Sequence, residues 1–274
     1  MYIDLHMHTI YSDGEYEQNE LINLAIKNKI NLISITDHDS IKAYNKINNN
    51  NIKIIPGIEL TSYYKNKSIH ILGYNIDINN KKLNEYLDKF RTNKFYVIIK
   101  CLNYLKDKHN IEFSSYDIAN LFNKKGNISR SDLAKLLLNY KLVNSINEAY
   151  DKYLIDAYNE INIEGIKTNP IDIIKLIHEA NGIAVLAHPK ELKYEDNDKI
   201  INYLIENNID GIEAYHSLHN EKDIEKYLKI AKNNNLLITC GSDFHGPDIK
   251  EKIPITYAKD NNYTEEKTNI INYE

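Results

Sequence analysis

Apolar residues recur along this chain in two rhythms. Short β-rich runs occupy residues 3–6, 32–36, 52–60 and 68–74, and helical spacing fills 17–29, with Leu21, Leu24 and Ile26 among its apolar positions. A further helical stretch begins near residue 40. Strand and helix in alternation predict parallel strands joined by crossover helices. From about residue 79 to 169 the rhythm changes to helical patterns at 81–108, 115–122, 129–140 and 146–153, with no strand pattern between them. Alternation then resumes. Pro170 stands at a helix start, where its missing N–H costs nothing. Strand patterns follow at 183–187, 211–214 and 237–239, with a helix at 221–233. The expectation is an α/β fold in which 1–78 and 170–274 form one domain and 79–169 is a helical insert.

Composition narrows the classes. Apolar residues make up 42% of 274, enough for a core and too many for disorder. A formal net charge of −5 offers no global basic surface, so duplex DNA is not an expected partner. No apolar run approaches bilayer length, and no basic-then-apolar leader stands before the charged motif near residue 4. Cys101 and Cys240 lie far apart, which is no disulfide framework. These features predict a cytoplasmic protein, and nothing in them calls for an obligatory protein partner.

The candidate chemistry is carried by histidine. Of ten histidines, His6, His8, His38, His70, His188 and His245 fall at or just after the ends of strand patterns. Asp13, Asp37, Asp39, Glu59 and Asp243 fall in the same places. In an α/β barrel those ends share one face, so residues scattered in sequence converge there. His6-Met7-His8 puts two imidazoles on one side of an extended segment, and Asp243-Phe244-His245 does the same with a carboxylate and an imidazole. Imidazoles mixed with carboxylates suit zinc, iron or manganese.

Five runs, in order, resemble the successive motifs of the polymerase-and-histidinol-phosphatase (PHP) family: Asp4-Leu5-His6-Met7-His8-Thr9, Thr36-Asp37-His38-Asp39, Pro56-Gly57-Ile58-Glu59, Leu186-Ala187-His188-Pro189 and Gly241-Ser242-Asp243-Phe244-His245-Gly246. The resemblance implies a distorted seven-stranded (β/α) barrel, with the helical insert capping its C-terminal face, and two or three divalent ions (Mn²⁺, Fe²⁺ or Zn²⁺). It places His6, His8 and Asp243 on the first ion, and Glu59 as the bridge to a second ion that His70 and His188 complete. Asp13, His38 and His245 fall on the third. Many relatives carry histidine where this chain has Asp13, and an oxygen ligand there favours manganese or iron over zinc. Asp37 and Asp39 are expected to orient imidazoles.

The insert also resembles that of the family branch acting on nucleoside 3′,5′-bisphosphates and on RNA 5′ ends. Arg130, one of only two arginines in a lysine-rich chain, matches that branch's arginine motif. Its planar fork suits a phosphate. Neighbouring positions depart from the motif, reading Arg130-Ser131-Asp132. Gly211-Ile212-Glu213-Ala214-Tyr215 matches a strand of the branch, with His216 and His219 after it and His219 the better phosphate contact. The expected function is hydrolysis of a phosphomonoester on a nucleotide or short 5′-phosphorylated oligonucleotide by a metal-bridging hydroxide. The alternatives are histidinol-phosphate hydrolysis, C–N or ester hydrolysis, and a non-catalytic metal-binding module. Asp13 and a metal-bound water are both candidates for the leaving-group proton.

Overall fold

The computed structural model describes residues 2–48, 51–65, 67–161 and 163–246; the last part of the expected C-terminal barrel segment, 247–274, lies outside the described residues. The chain divides into two compact units. One comprises Met1–Asn84 with the described residues from Thr168 onward, and the other is Glu85–Lys167.

The first unit carries two sheets. Strands β1 (Ile3–Asp4), β2 (Leu32–Ile33) and β3 (Lys53–Ile54) pair in parallel in that order. The second sheet orders β4 (Gly57–Tyr64), β5 (Lys67–Tyr74), β6 (Ile183–Leu186), β7 (Gly211–His216) and β8 (Leu237–Gly241). The sheets meet at both ends. Leu5 N–H donates to Cys240 O at 3.0 Å and Met7 bridges Phe244, while His38 bridges Glu59 at the other side.

Two expectations need correction here. The sheet is not uniformly parallel, because β5 runs antiparallel to both β4 and β6. A parallel pair needs a crossover of a dozen or more residues, and two residues between Tyr64 and Lys67 permit only a hairpin. The single strand expected over 52–60 is two, in different sheets. Pro56 lies at the break and has no N–H to give a ladder.

Helices follow their caps. Helix α1 (Gln18–Lys27) opens with a Glu17/Glu20 capping box, and α7 (Pro170–Glu179) with the Asn169 side chain on Ile171 N–H. Helix α8 (Asn197–Glu206) escaped the sequence reading, although Asp196 caps Lys199 N–H and Ile200, Ile201 and Leu204 share its buried face. Helix α9 (Glu221–Asn234) starts from an Asn220/Asp223 capping box. Between β1 and β8 the core gathers Leu5, Leu72, Tyr74, Val185 and Cys240, and a second cluster joins Met7, Leu21, Ile22, Ile33 and Ile35.

The other unit is helical, with the long α2 (Lys81–His109) entering it, then α3 (Ser115–Phe122), α4 (Arg130–Asn139), α5 (Ile146–Ala149) and α6 (Ile155–Glu160). A π-helical turn, Tyr150–Leu154, joins α5 to α6. Its own core contains Phe90, Cys101, Leu105, Leu133, Leu137 and Leu154. Among the described residues no helix is long and apolar enough to cross a membrane.

Candidate metal centre

Leu5 and Met7 pass into the two cores, so the residues that alternate with them turn the other way. His6 and His8 are both fully buried, with ring centroids 5.1 Å apart. Burying two imidazoles without water or partners is unfavourable, and the partners arrive from distant strands. The β4–β5 hairpin supplies Glu59 and His70. Because β5 runs antiparallel, His70 near its start reaches the region that the parallel strands reach with their ends. His188 follows β6, and Asp243 and His245 follow β8.

Glu59 is the hub. Its Oε2 lies 3.2 Å from His6 Nε2, 3.3 Å from His8 Nε2 and 3.2 Å from His38 Nδ1. Its Oε1 lies 3.0 Å from His70 Nδ1 and 2.9 Å from His188 Nε2. Asp243 Oδ1 lies 3.4 Å from His6 Nε2 and 3.1 Å from His8 Nε2. A third group forms around Asp13, whose Oδ1 is 3.3 Å from His245 Nε2 and whose Oδ2 is 3.9 Å from His38 Nε2. Within each of the sets His6/His8/Glu59/Asp243, His38/Glu59/His70 and His8/Asp13/His38/His245, donor atoms lie within 4.8 Å of one another.

The protonation pattern suits cations. Burial disfavours a charged Glu59, yet His38, His6 and His70 hold its carboxyl well below the usual range, and similar neighbours do so for Asp13 and Asp243. Burial also opposes charge on His8, but Asp243, Glu59 and Asp13 lift it to about 9. For His38, burial prevails and pushes it down to about 3. The donors thus include ionised carboxylates and imidazoles whose protons a divalent cation would replace. The buried His8 Nε2 and His70 Nδ1 make no well-directed hydrogen bond to protein. Both observations fit metal ions held by imidazole and carboxylate.

Supporting contacts differ from those expected. Asp37 accepts the Thr9 N–H and hydroxyl and the Ser12 hydroxyl, and Ser12 in turn lies 3.4 Å from His8 Nδ1. Asp39 accepts the Thr61 N–H and hydroxyl and so fastens β4. His6 instead meets Glu213, a residue sequence reasoning quoted without giving it a task; its Oε1 accepts from His6 Nδ1 at 2.9 Å. His216, ranked low from sequence, is fully buried with Nε2 3.5 Å from Asp243 Oδ2. His219 is buried, with Nδ1–H donating to Ala214 O at 2.9 Å. Arg130 sits in the helical unit, its guanidinium 4.5 Å from the Tyr158 ring centroid and 5.9 Å from that of Tyr150.

Gly241 explains how β8 approaches this cluster. A Cβ there would fall 2.1 Å from His6 Cβ and 2.9 Å from Glu213 Oε1. Gly241→Ala is therefore expected to destabilise the fold by about 1–3 kcal/mol. Chemical denaturation of both proteins checks this, and an unchanged midpoint would show that β1 and β8 can part at no cost.

A buried cluster of imidazoles and carboxylates at the strand ends of an α/β scaffold forms a candidate metal centre. The comparisons agree. Residues 4–240 match the PHP domain, and the chain belongs to the PHP family of metal-dependent phosphoesterases. It is 27% identical over 256 residues to the 5′-3′ exoribonuclease Rnm of Escherichia coli, covering 89% of this chain and 85% of that protein. It is 26% identical over 269 residues to the 3′,5′-nucleoside bisphosphate phosphatase of Chromobacterium violaceum, covering 89% and 87%. A Bifidobacterium adolescentis structure described as a metal-dependent phosphoesterase shares the fold, with a TM-score of 0.75 at 21% identity, over 93% of this chain and 91% of that one.

Proposed function

We propose that the protein hydrolyses a phosphomonoester on a nucleotide-like substrate, either a nucleoside 3′,5′-bisphosphate or a short 5′-phosphorylated oligonucleotide. The observation that carries the catalytic part is Glu59, with one oxygen turned to His6, His8 and His38 and the other to His70 and His188. The similarity to an exoribonuclease and to a nucleoside bisphosphate phosphatase supports the substrate class.

His6, His8 and Asp243 would hold a first ion, and His70 and His188 a second, with Glu59 between them. Asp13, His38 and His245 would hold a third. Oxygen from Asp13 favours Mn²⁺ or Fe²⁺ there over Zn²⁺. Divalent ions at such a site acidify water and neutralise charge on phosphoryl oxygens. The main-chain links between Leu5 and Cys240 and between His38 and Glu59 support a barrel of seven strands, if β3 and β4 count as one interrupted strand. The free, buried Cys101 and Cys240 suit a cytoplasmic setting.

His219 has its Nδ1–H engaged by Ala214 O, so its Nε2 can donate to a phosphate oxygen only as imidazolium. Burial lowers its pKa. An arriving phosphate would have to raise it, so this contact strengthens as pH falls. Arg130 is the proposed phosphate contact of the insert. Arg130→Lys keeps the charge and loses the fork, with an expected loss of about 1–3 kcal/mol in kcat/KM. The loss should be larger on a bisphosphate than on an aryl phosphate. Equal losses would assign Arg130 to packing against Tyr158.

The test of the function is phosphate release from Mn²⁺-loaded protein against nucleoside 3′,5′-bisphosphates, 5′-phosphorylated oligonucleotides, histidinol phosphate and simple amides and esters. Preference for either of the first two supports the proposal. Preference for histidinol phosphate or for an amide would overturn it, and inactivity on all would make the chain a binding module.

A further inference from the structure

Glu213 is fully buried at the metal centre, yet the ligand assignment leaves it unused. Its position follows from the β7–β8 register, in which Gly211, Ile212 and Glu213 pair regularly with Leu237, Ile238 and Thr239 and the shift comes only after Glu213. Here both carboxylate oxygens find donors from other strand ends. Oε1 accepts from His6 Nδ1 at 2.9 Å, and Oε2 accepts from the His188 backbone N–H at 2.7 Å. His188 has φ 25° and ψ 63°, an uncommon conformation for a residue other than glycine. A hydrogen bond from its N–H to a buried carboxylate is a strong restraint on that conformation.

The cluster His6, Glu213 and His216 also has its donors within 4.8 Å, which raises the possibility of a separate cation site. Hydrogen bonding argues against it. His6 Nδ1 gives its proton to Glu213, and His216 Nδ1 accepts from Leu218 N–H at 3.2 Å, which leaves the neutral ring's proton on Nε2. Two of the three candidate atoms are thus already engaged or protonated, and the role left for Glu213 is orientation.

We propose that Glu213 is a positioning residue that aligns one imidazole on each side of Glu59. Accepting the His6 Nδ1 proton leaves Nε2 as the lone pair facing Glu59 Oε2, 3.2 Å away. Anchoring the His188 N–H turns that residue's Nε2 to Glu59 Oε1, 2.9 Å away. A single carboxylate outside the ligand set thereby ties together the two halves of the centre, which no imidazole-by-imidazole partner could do. The inference rests on the ligand reading proposed above.

Glu213→Gln keeps the size but presents an NH₂ to one of the two N–H donors. Equilibrium dialysis of the full chain against Mn²⁺ should show 10–100-fold weaker binding, the usual cost of losing such a partner. In kinetics kcat should fall more than KM rises. Wild-type affinity and kcat in Glu213→Gln would overturn the proposal. His8→Ala separates the two readings. If His8→Ala loses metal and Glu213→Gln does not, only the positioning role fails; if neither loses metal, the ligand reading itself fails. Should Glu213→Gln not fold, ring ¹⁵N spectra of the zinc-loaded wild type decide. A His6 protonated on Nδ1 and bound through Nε2 supports the proposal, and one bound through Nδ1 overturns it.

Discussion

Glu59→Gln is expected to abolish turnover, lowering kcat by several orders of magnitude, while the chain stays folded. The backbone of Glu59 remains in the β4–β5 ladder opposite Leu72, so the hairpin keeps its register. What changes is the side chain at the centre. Both carboxylate oxygens lie within 3.3 Å of imidazole nitrogens, three around Oε2 and two around Oε1. An amide offers one oxygen and one NH₂, so it can serve one side of the centre and must repel the other. It also removes the negative charge that would sit between two cations. Each tenfold of rate corresponds to about 1.4 kcal/mol, and losing one shared ligand affects both the nucleophile and the charge on phosphorus. Steady-state assays with circular dichroism as the control measure this. A variant within tenfold of wild type would mean that Glu59 bridges nothing.

Removing metal with a chelator should abolish activity and lower thermal stability, and the stability gap should widen from pH 6 to pH 9. The sign follows from the groups involved. His8 is raised to about 9 in the metal-free fold, so its stabilising contribution is complete below about 6.5, its ordinary value, and is lost as pH rises through about 9. Glu59, Asp13 and Asp243 are held low, and their contribution is present above about pH 4 and lost as pH falls. The metal-free protein is therefore weakened on the alkaline side. Metal binding must displace the His8 proton, so affinity rises over the same interval. At a hundredfold excess over the dissociation constant each ion adds about 2.7 kcal/mol. Melting curves with Mn²⁺ and with chelator across that range check the trend, and a gap that narrows with pH would contradict it.

How much was legible beforehand varied with the length of chain a feature depends on. Helices with capping residues and apolar spacing were readable because local contacts decide them, as at α3 and α7. Helix α8 was readable by the same signals and was overlooked, since its Asp196 cap lies in a run of mixed charge. The strand at 52–60 misled because β-propensity ignores the ladder bond that Pro56 cannot make. The antiparallel β5 was signalled by the short gap between the strand patterns at 52–60 and 68–74, which leaves no room for a crossover helix.

By itself the sequence determined the α/β class, the helical segment that interrupts it, and the residue types able to hold metal, because each is written in local spacing or in side-chain chemistry. Only the tertiary structure decided how those residues meet. Glu59 faces five imidazoles because a hairpin overlays the ends of strands separated by more than a hundred residues. Asp37 accepts from the Thr9 and Ser12 hydroxyls and the Thr9 N–H, and Asp39 from the Thr61 hydroxyl and N–H, contacts made across strands. Glu213 meets His6 because β7 places it opposite Thr239 and Gly241 leaves room for its carboxylate. A spacing rule counts residues along one strand, and none of these contacts lies along one strand.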